Sequence, residues 1–189
     1  MRSLPRQIGN PITGEYVIIK ETTAETNGEY MVFRTHLPPG SGIFRHYHTA
    51  FTETFSDVAG VLDVTLDGKP IAMKEGDVHL VGTHHTHGFR NNTDEAVEFT
   101  TEVRPACTFE AFIRCGYGLD TDGRSFYMPF LRLYMPKNLL LWGPIFSLGM
   151  FFMPYVPRSL QTGGAAILTA LAQVFGVAKT LDRYYEETH

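Results

Sequence analysis

The chain has 189 residues, 43% hydrophobic and 13% aromatic, which suits one domain with a well-filled core and some attached elements. A net charge of −4 and a pI near 6.0 leave no electrostatic footprint for nucleic acid. The first six residues lack the apolar run of a secretory signal and only Cys107 and Cys115 are present, so a reduced, cytoplasmic protein is expected.

Residues 1–11, with Pro5 and Pro11, are expected to form an irregular arm. Tyr16, Val17, Ile18 and Ile19 are β-formers and predict a strand over 15–20. Asn27-Gly28 is a turn signal, and 29–37 reads as the next strand, closed by Pro38-Pro39-Gly40. Short strands follow at 44–48, 53–58, 61–66, 71–73, 78–81, 86–90 and 96–103, with Gly, Asp and Asn turns between them. That rhythm predicts an all-β barrel or sandwich.

The pattern changes after Pro105. Thr108 is placed to cap a helix running to about Cys115, with Gly116 as its stop. On that helix the two cysteines would lie about 12 Å apart, too far for a disulfide. Asp120-Thr121-Asp122-Gly123 opens like a calcium loop, but no glutamate stands at the twelfth position, so it reads as a plain turn. Residues 126–137 are rich in aromatics and leucine. Residues 139–156 carry no charge, but Pro144 and Pro154 interrupt them, and at eighteen residues they only reach the lower bound for a membrane span. Short buried helices, packed on the barrel or in a homodimer interface, are expected there, without membrane contact. Gly163-Gly164 precedes a helical pattern through 165–177. The chain thus divides into an arm with a first strand (1–27), a β-barrel (28–104) and a helical apolar extension (105–189).

Within the barrel region one group carries chemistry. Gly40, His46, Tyr47, His48, Glu53 and Gly60 form one motif, and Gly76, His87 and Asn91 a second. His46 and His48 are two apart, so on a strand they share a face. Neighbouring strands lie about 4.8 Å apart, so ligands on adjacent strands can converge inside a small barrel. His46, His48, Glu53 and His87 make a nitrogen and oxygen ligand set without thiolate, suited to one divalent transition metal (Fe, Mn, Ni, Co, Cu or Zn).

This pattern resembles the two motifs of the cupin superfamily. The first is matched at every defining position; the second departs at Gly82, where proline is usual, and at His84, where glycine is usual. The resemblance spans roughly residues 28–104. It implies a mainly β fold, a double-stranded β-helix or jelly-roll barrel, here with C-terminal helices, and a metal held by the four residues.

Strand parity extends the site. Phe44 shares the parity of His46, Phe55 that of Glu53 and Phe89 that of His87, so all three are candidate pocket walls, with plain core as the alternative. His85 and Asp57 share parity with His87 and Glu53 and are the candidate proton carriers. Four protein ligands leave positions open on a six-coordinate ion, and the resemblance adds dioxygenases, isomerases, lyases and decarboxylases, and also binding proteins. The expected function is a metal-dependent, dioxygenase-type oxidoreductase acting on a small organic molecule. The alternatives are a non-catalytic binding or sensing barrel with a structural metal, and a metal-dependent isomerase or lyase.

Overall fold

The computed structural model describes residues 4–128 and 133–185. Ten strands come first: β1 (Gln7–Gly9), β2 (Tyr16–Glu21), β3 (Met31–Leu37), β4 (Gly42–His48), β5 (Thr52–Ala59), β6 (Leu62–Leu66), β7 (Lys69–Met73), β8 (His79–Val81), β9 (His87–Arg90) and β10 (Val97–Arg104). Then follow α1 (Phe109–Thr121), β11 (Ser125–Met128), β12 (Leu133–Pro136), a 3-10 turn (Leu139–Leu141), α2 (Trp142–Gly149), β13 (Phe151–Phe152), α3 (Arg158–Val174), a second 3-10 turn (Ala178–Thr180) and α4 (Asp182–Tyr185).

Among the described residues the barrel strands form two antiparallel sheets, ordered β1-β2-β3-β10-β5-β8 and β13-β4-β9-β6-β7, and β11 and β12 pair as a separate hairpin. Alternation builds them: β3 and β10 bury every second residue. Their inner faces meet in two apolar clusters. One gathers Leu37, Phe55, Val58, Leu62, Met73, Val97 and Phe99. The other, with Ile19, Met31, Phe33, Phe51 and Val103, is covered by Phe109 and Ile113 of α1. A mainly β jelly-roll barrel with C-terminal helices is therefore what forms.

Several local expectations shift. The arm is not wholly irregular, because β1 pairs with β2 and extends the larger sheet. The helix begun at Thr108 does not stop at Gly116 but runs to Thr121. Helix-interior glycines cost about 1 kcal/mol each, but at Gly118 no side chain fits: a Cβ there would lie 2.3 Å from Cδ1 of Tyr184. The Thr108 hydroxyl caps nothing and instead donates to the Leu148 carbonyl at 2.7 Å. Cys107 precedes this helix; it is exposed, Cys115 is buried, and both are free thiols. Asp122 faces α4, where it accepts from the Tyr184 hydroxyl at 2.7 Å. The last long helix starts at Arg158 rather than after Gly164. Gln161 fastens its first turn, since its side chain accepts from the Met153 amide at 2.8 Å and donates to the Val156 carbonyl at 2.7 Å.

The charge-free run 139–156 packs inside the chain. Leu141, Ile145 and Phe151 are buried, and Phe151 pairs with His48 so that β13 adds a strand beside the ligand-bearing β4. Leu139 and Tyr155 remain exposed. Among the described residues no single helix is long and apolar enough to cross a membrane, although the bent pair formed by α3 and the segment Ala178–Tyr185 passes by length and composition.

Candidate metal centre

β4 carries His46 and His48, β9 carries His87, and β5 carries Glu53, so three imidazoles of one sheet face a carboxylate of the other. All four are buried, and their ligand atoms lie within 4.8 Å of one another. Nε2 of His46 is 3.1 Å from Nε2 of His48. Oε2 of Glu53 is 2.7 Å from Nε2 of His87 and 3.5 Å from Nε2 of His48.

Backbone contacts set the tautomers. Nδ1 of His46 donates to the Phe44 carbonyl at 2.8 Å, and Nδ1 of His87 to the His85 carbonyl at 3.1 Å. Both rings thereby turn Nε2 inward as the metal-facing nitrogen. In the neutral His46 ring that nitrogen is a lone pair, held close to another imidazole nitrogen. Two such nitrogens at right angles on an ion with bonds of about 2.1 Å lie about 3 Å apart. The donor set therefore fits one divalent transition metal.

Electrostatics agree with this at His46 and Glu53. Burial holds His46 well below its usual pKa, and the neighbouring His87 and His48 rings push it the same way, so it stays neutral. Burial pushes Glu53 upward, but the charge of His48 and the hydrogen bonds from His48 and His87 outweigh it and keep the group an ionised carboxylate. Burial lowers His87, yet the hydrogen bond and charge of Glu53 win and raise it. His46 and Glu53 thus already have the ligand forms, neutral imidazole and ionised carboxylate, whereas Glu53 favours a proton on His87 that a bound ion would displace.

The turn preceding β9 also supports the site. His84, at the position where the motif usually has glycine, adopts φ 67°, the left-handed conformation that glycine takes without strain. Its amide donates to the His48 carbonyl at 2.7 Å, tying the turn to the ligand strand. Gly88 is required between the strands, because a Cβ there would lie 2.9 Å from the Ile43 carbonyl oxygen. Asn91 is fully buried and ties the loop ends together: its amide donates to the Leu37 carbonyl at 2.9 Å and the Glu95 carbonyl at 2.7 Å.

Three of the ligands open onto a cavity of 560 Å³, since His46, His48 and Glu53 line it. Phe55 and Phe89 line it as parity predicts, but Phe44 does not. A bulge between Ile43 and His46 resets the register against β9, so Ile43 takes the wall position and Phe44 packs on Phe151 instead. Asp57 is also displaced. β5 bulges against β10 between the Ser56 and Ala59 pairings, Asp57 sits at φ 50°, and Val58 turns inward in its place. His85 lies outside β9 and pairs with Asp67 at 2.6 Å on the surface. Neither expected proton carrier faces the cavity.

Its other walls come from distant segments that strand parity could not connect to the site. Phe33, Phe109, Phe112 and Phe151 supply apolar surface. Glu15, Tyr117 and Asp120 supply a polar corner, in which the Tyr117 hydroxyl donates to Oε1 of Glu15 at 2.7 Å and Asn10 donates to Asp120 at 2.9 Å.

Residues 33–103, which span the strands from β3 to β10, match the family model described as Cupin domain. A quercetin 2,3-dioxygenase of Bacillus subtilis is 34% identical over 65 residues, and that match spans 34% of this chain but only 19% of the relative. A Thermotoga maritima structure described as a predicted oxalate decarboxylase is similar at TM-score 0.44 and 25% identity, over 54% of this chain and 92% of the other. A structure described as a sugar phosphate isomerase of the cupin superfamily, from Silicibacter pomeroyi, is similar at TM-score 0.47 and 22% identity, over 56% and 73%.

Proposed function

We propose that this protein is a metal-dependent enzyme of the dioxygenase type, acting on a small, largely apolar organic molecule. The observation that carries this reading is the placement of three of the four metal-ligating side chains in the wall of a 560 Å³ cavity otherwise rich in phenylalanine. A structural ion is normally sealed by its protein ligands, whereas this cluster opens onto space that an organic ligand can fill. The local similarity to a quercetin 2,3-dioxygenase points in the same direction.

His46, His48, Glu53 and His87 would hold the ion, which when bound acts as a Lewis acid toward the oxygen atoms of a substrate. Phe33, Phe55, Phe89 and Phe151 exclude water from that end of the cavity and hold a flat apolar body against it. Glu53 keeps its charge in this apolar setting because His48 and His87 face it, and it is positioned to accept a proton from an acidic hydroxyl beside the imidazoles. An isomerase or lyase would have to draw a more distant acid or base from Glu15, Tyr117 or Asp120, the titratable groups at the far wall.

Oxygen uptake by Fe(II)-loaded protein, with quercetin as the first substrate offered, tests the reading. Uptake that requires both metal and substrate supports it. Tight, metal-dependent binding of quercetin without uptake would make the protein a binding or sensing barrel instead.

A further inference from the structure

The inner face of the larger sheet is apolar, with Val17, Ile19, Met31, Phe33, Phe55, Phe99 and Val103 buried on it. Four polar residues break it, and their register places them on one line. Glu53 of β5 pairs with Val103 and Phe55 with Thr101, so Glu53 and Thr101 are diagonal neighbours across β5 and β10. Thr101 pairs with Phe33 and Phe99 with Thr35, so Thr101 and Thr35 are diagonal neighbours across β10 and β3. Val17 pairs with Thr35, and Glu15, two residues before Val17 and of the same parity, is the next diagonal neighbour. Each step crosses one strand and advances two residues in the same direction. All four residues line the cavity that holds the metal-ligand cluster.

The two threonines are unusual in their setting. Thr35 is 3% exposed and Thr101 is 2% exposed, and among the described residues neither hydroxyl has a hydrogen-bond partner. Neither oxygen is among the fully buried, unpartnered side-chain atoms of the described residues, so both hydroxyls reach the cavity and offer hydrogen bonds to whatever fills it, which a valine of the same shape could not. Diagonal neighbours lie about 7–8 Å apart, too far to satisfy one another. Glu15 accepts from Tyr117 through Oε1 only; no described residue donates to its second oxygen. The line therefore carries unused hydrogen-bonding capacity along the wall of an otherwise apolar cavity.

We propose that Glu15, Thr35 and Thr101 are specificity-determining residues, and that the ligand is an elongated aromatic molecule with hydroxyl groups along one edge. One end reaches the His46, His48, Glu53 and His87 cluster, and the hydroxylated edge lies along the diagonal. This rests on the reading of that cluster as the metal centre of an enzyme for an organic substrate. Threonine hydroxyls both donate and accept, so they suit phenolic hydroxyls in either orientation. The second Glu15 oxygen calls for a donor, which a hydroxyl at the far end supplies. Burial, with Asp120 adding and the Tyr117 bond opposing, raises the Glu15 pKa, and this favours a neutral hydroxyl there over a cation.

The test compares quercetin with 3-hydroxyflavone, which keeps the same chelating hydroxy-ketone and lacks the other hydroxyls. Both are titrated calorimetrically into the metal-loaded protein and into Thr35→Val, Thr101→Val, the double variant and Thr35→Ser, with metal content and chelation absorbance measured on the same samples. The expected result is a quercetin preference of about tenfold or more, falling about fivefold per threonine replaced by valine and retained in Thr35→Ser. Affinity for 3-hydroxyflavone should stay within about twofold, because a valine of equal shape leaves the apolar contacts in place. Equal affinities in the unaltered protein, a preference unchanged in the double variant, or no binding of either flavonol would overturn the proposal. Failure of the metal reading looks different: protein without bound metal, or flavonol bound without a chelation shift, while a threonine-dependent preference for quercetin still supports the diagonal.

Discussion

Nε2 of His87 lies 2.7 Å from Oε2 of Glu53, and that contact joins the two sheets of the barrel at a shared buried polar centre. Both residues are buried, His87 at 1% and Glu53 at 6% exposure, and Glu53 meets open space only at the cavity. The pair persists because each partner answers the other and because an ion can take both.

Removing a ligand should therefore remove the metal. His46→Ala, His48→Ala, Glu53→Ala and His87→Ala should each lower affinity by more than about 100-fold, because changes even in groups behind the ligands typically cost 10–100-fold. Metal content after exhaustive dialysis measures this. A full equivalent retained by His48→Ala or His87→Ala would contradict the site.

His85→Ala should leave metal content unchanged. Its ring is on the surface and paired with Asp67, and its link to the site is through its backbone carbonyl, which the substitution keeps. Metal analysis beside the ligand variants checks this, and loss of the ion would place His85 closer to the centre than the fold allows.

Phe99 is fully buried, with the rings of Phe89 and Phe55 at 5.1 and 6.0 Å. Phe99→Ala should destabilise the barrel by about 3–5 kcal/mol, the usual range for a large aromatic replaced by alanine in a core. The urea midpoint reads this, and a loss below about 1 kcal/mol would mean the core collapses to fill the gap.

Asn91 satisfies the buried Leu37 carbonyl and the Glu95 carbonyl, and accepts from both the amide and the hydroxyl of Thr93, at 2.9 and 2.7 Å. Asn91→Ala strands those groups and should cost about 2–4 kcal/mol, again read from the denaturation midpoint.

Glu15 supplies a pH dependence. Burial raises its pKa, Asp120 adds to the shift and the Tyr117 hydrogen bond opposes it. A carboxyl raised on folding binds its proton more tightly in the folded state than in the unfolded one. Its contribution is therefore favourable at low pH and is lost as pH climbs from the ordinary carboxylate range through the raised value. Glu15→Gln should flatten stability between about pH 4 and 8 and gain relative to the unaltered protein toward the upper end. Asp120, also raised by burial against the hydrogen bonds of Ser125 and Asn10, should keep part of the slope. Denaturation midpoints across that range decide; parallel curves for the two proteins would refute the assignment to Glu15.

Local sequence pattern was enough to read the barrel and to single out the four candidate ligands that it gathers. His46 and His48 had to share a face because side chains alternate with period two, and the spacing to Glu53 and His87 placed all four on strands that a small barrel brings together. Period-two reasoning is local, and a single extra residue defeats it. The bulges in β4 and β5 exchanged Phe44 for Ile43 and Asp57 for Val58 at the inner face, and no residue type nearby announces either one. His85 fell outside the strand that would have given it the parity of His87. Glu15 and Tyr117 are separated by 102 residues and meet only because α1 closes over the end of β2, and Phe151 reaches the cavity only because β13 pairs with β4. The ligands were legible because their geometry is fixed within a strand and its neighbours. The cavity around them was decided by tertiary structure, because its walls are assembled from segments whose contacts no local periodicity encodes.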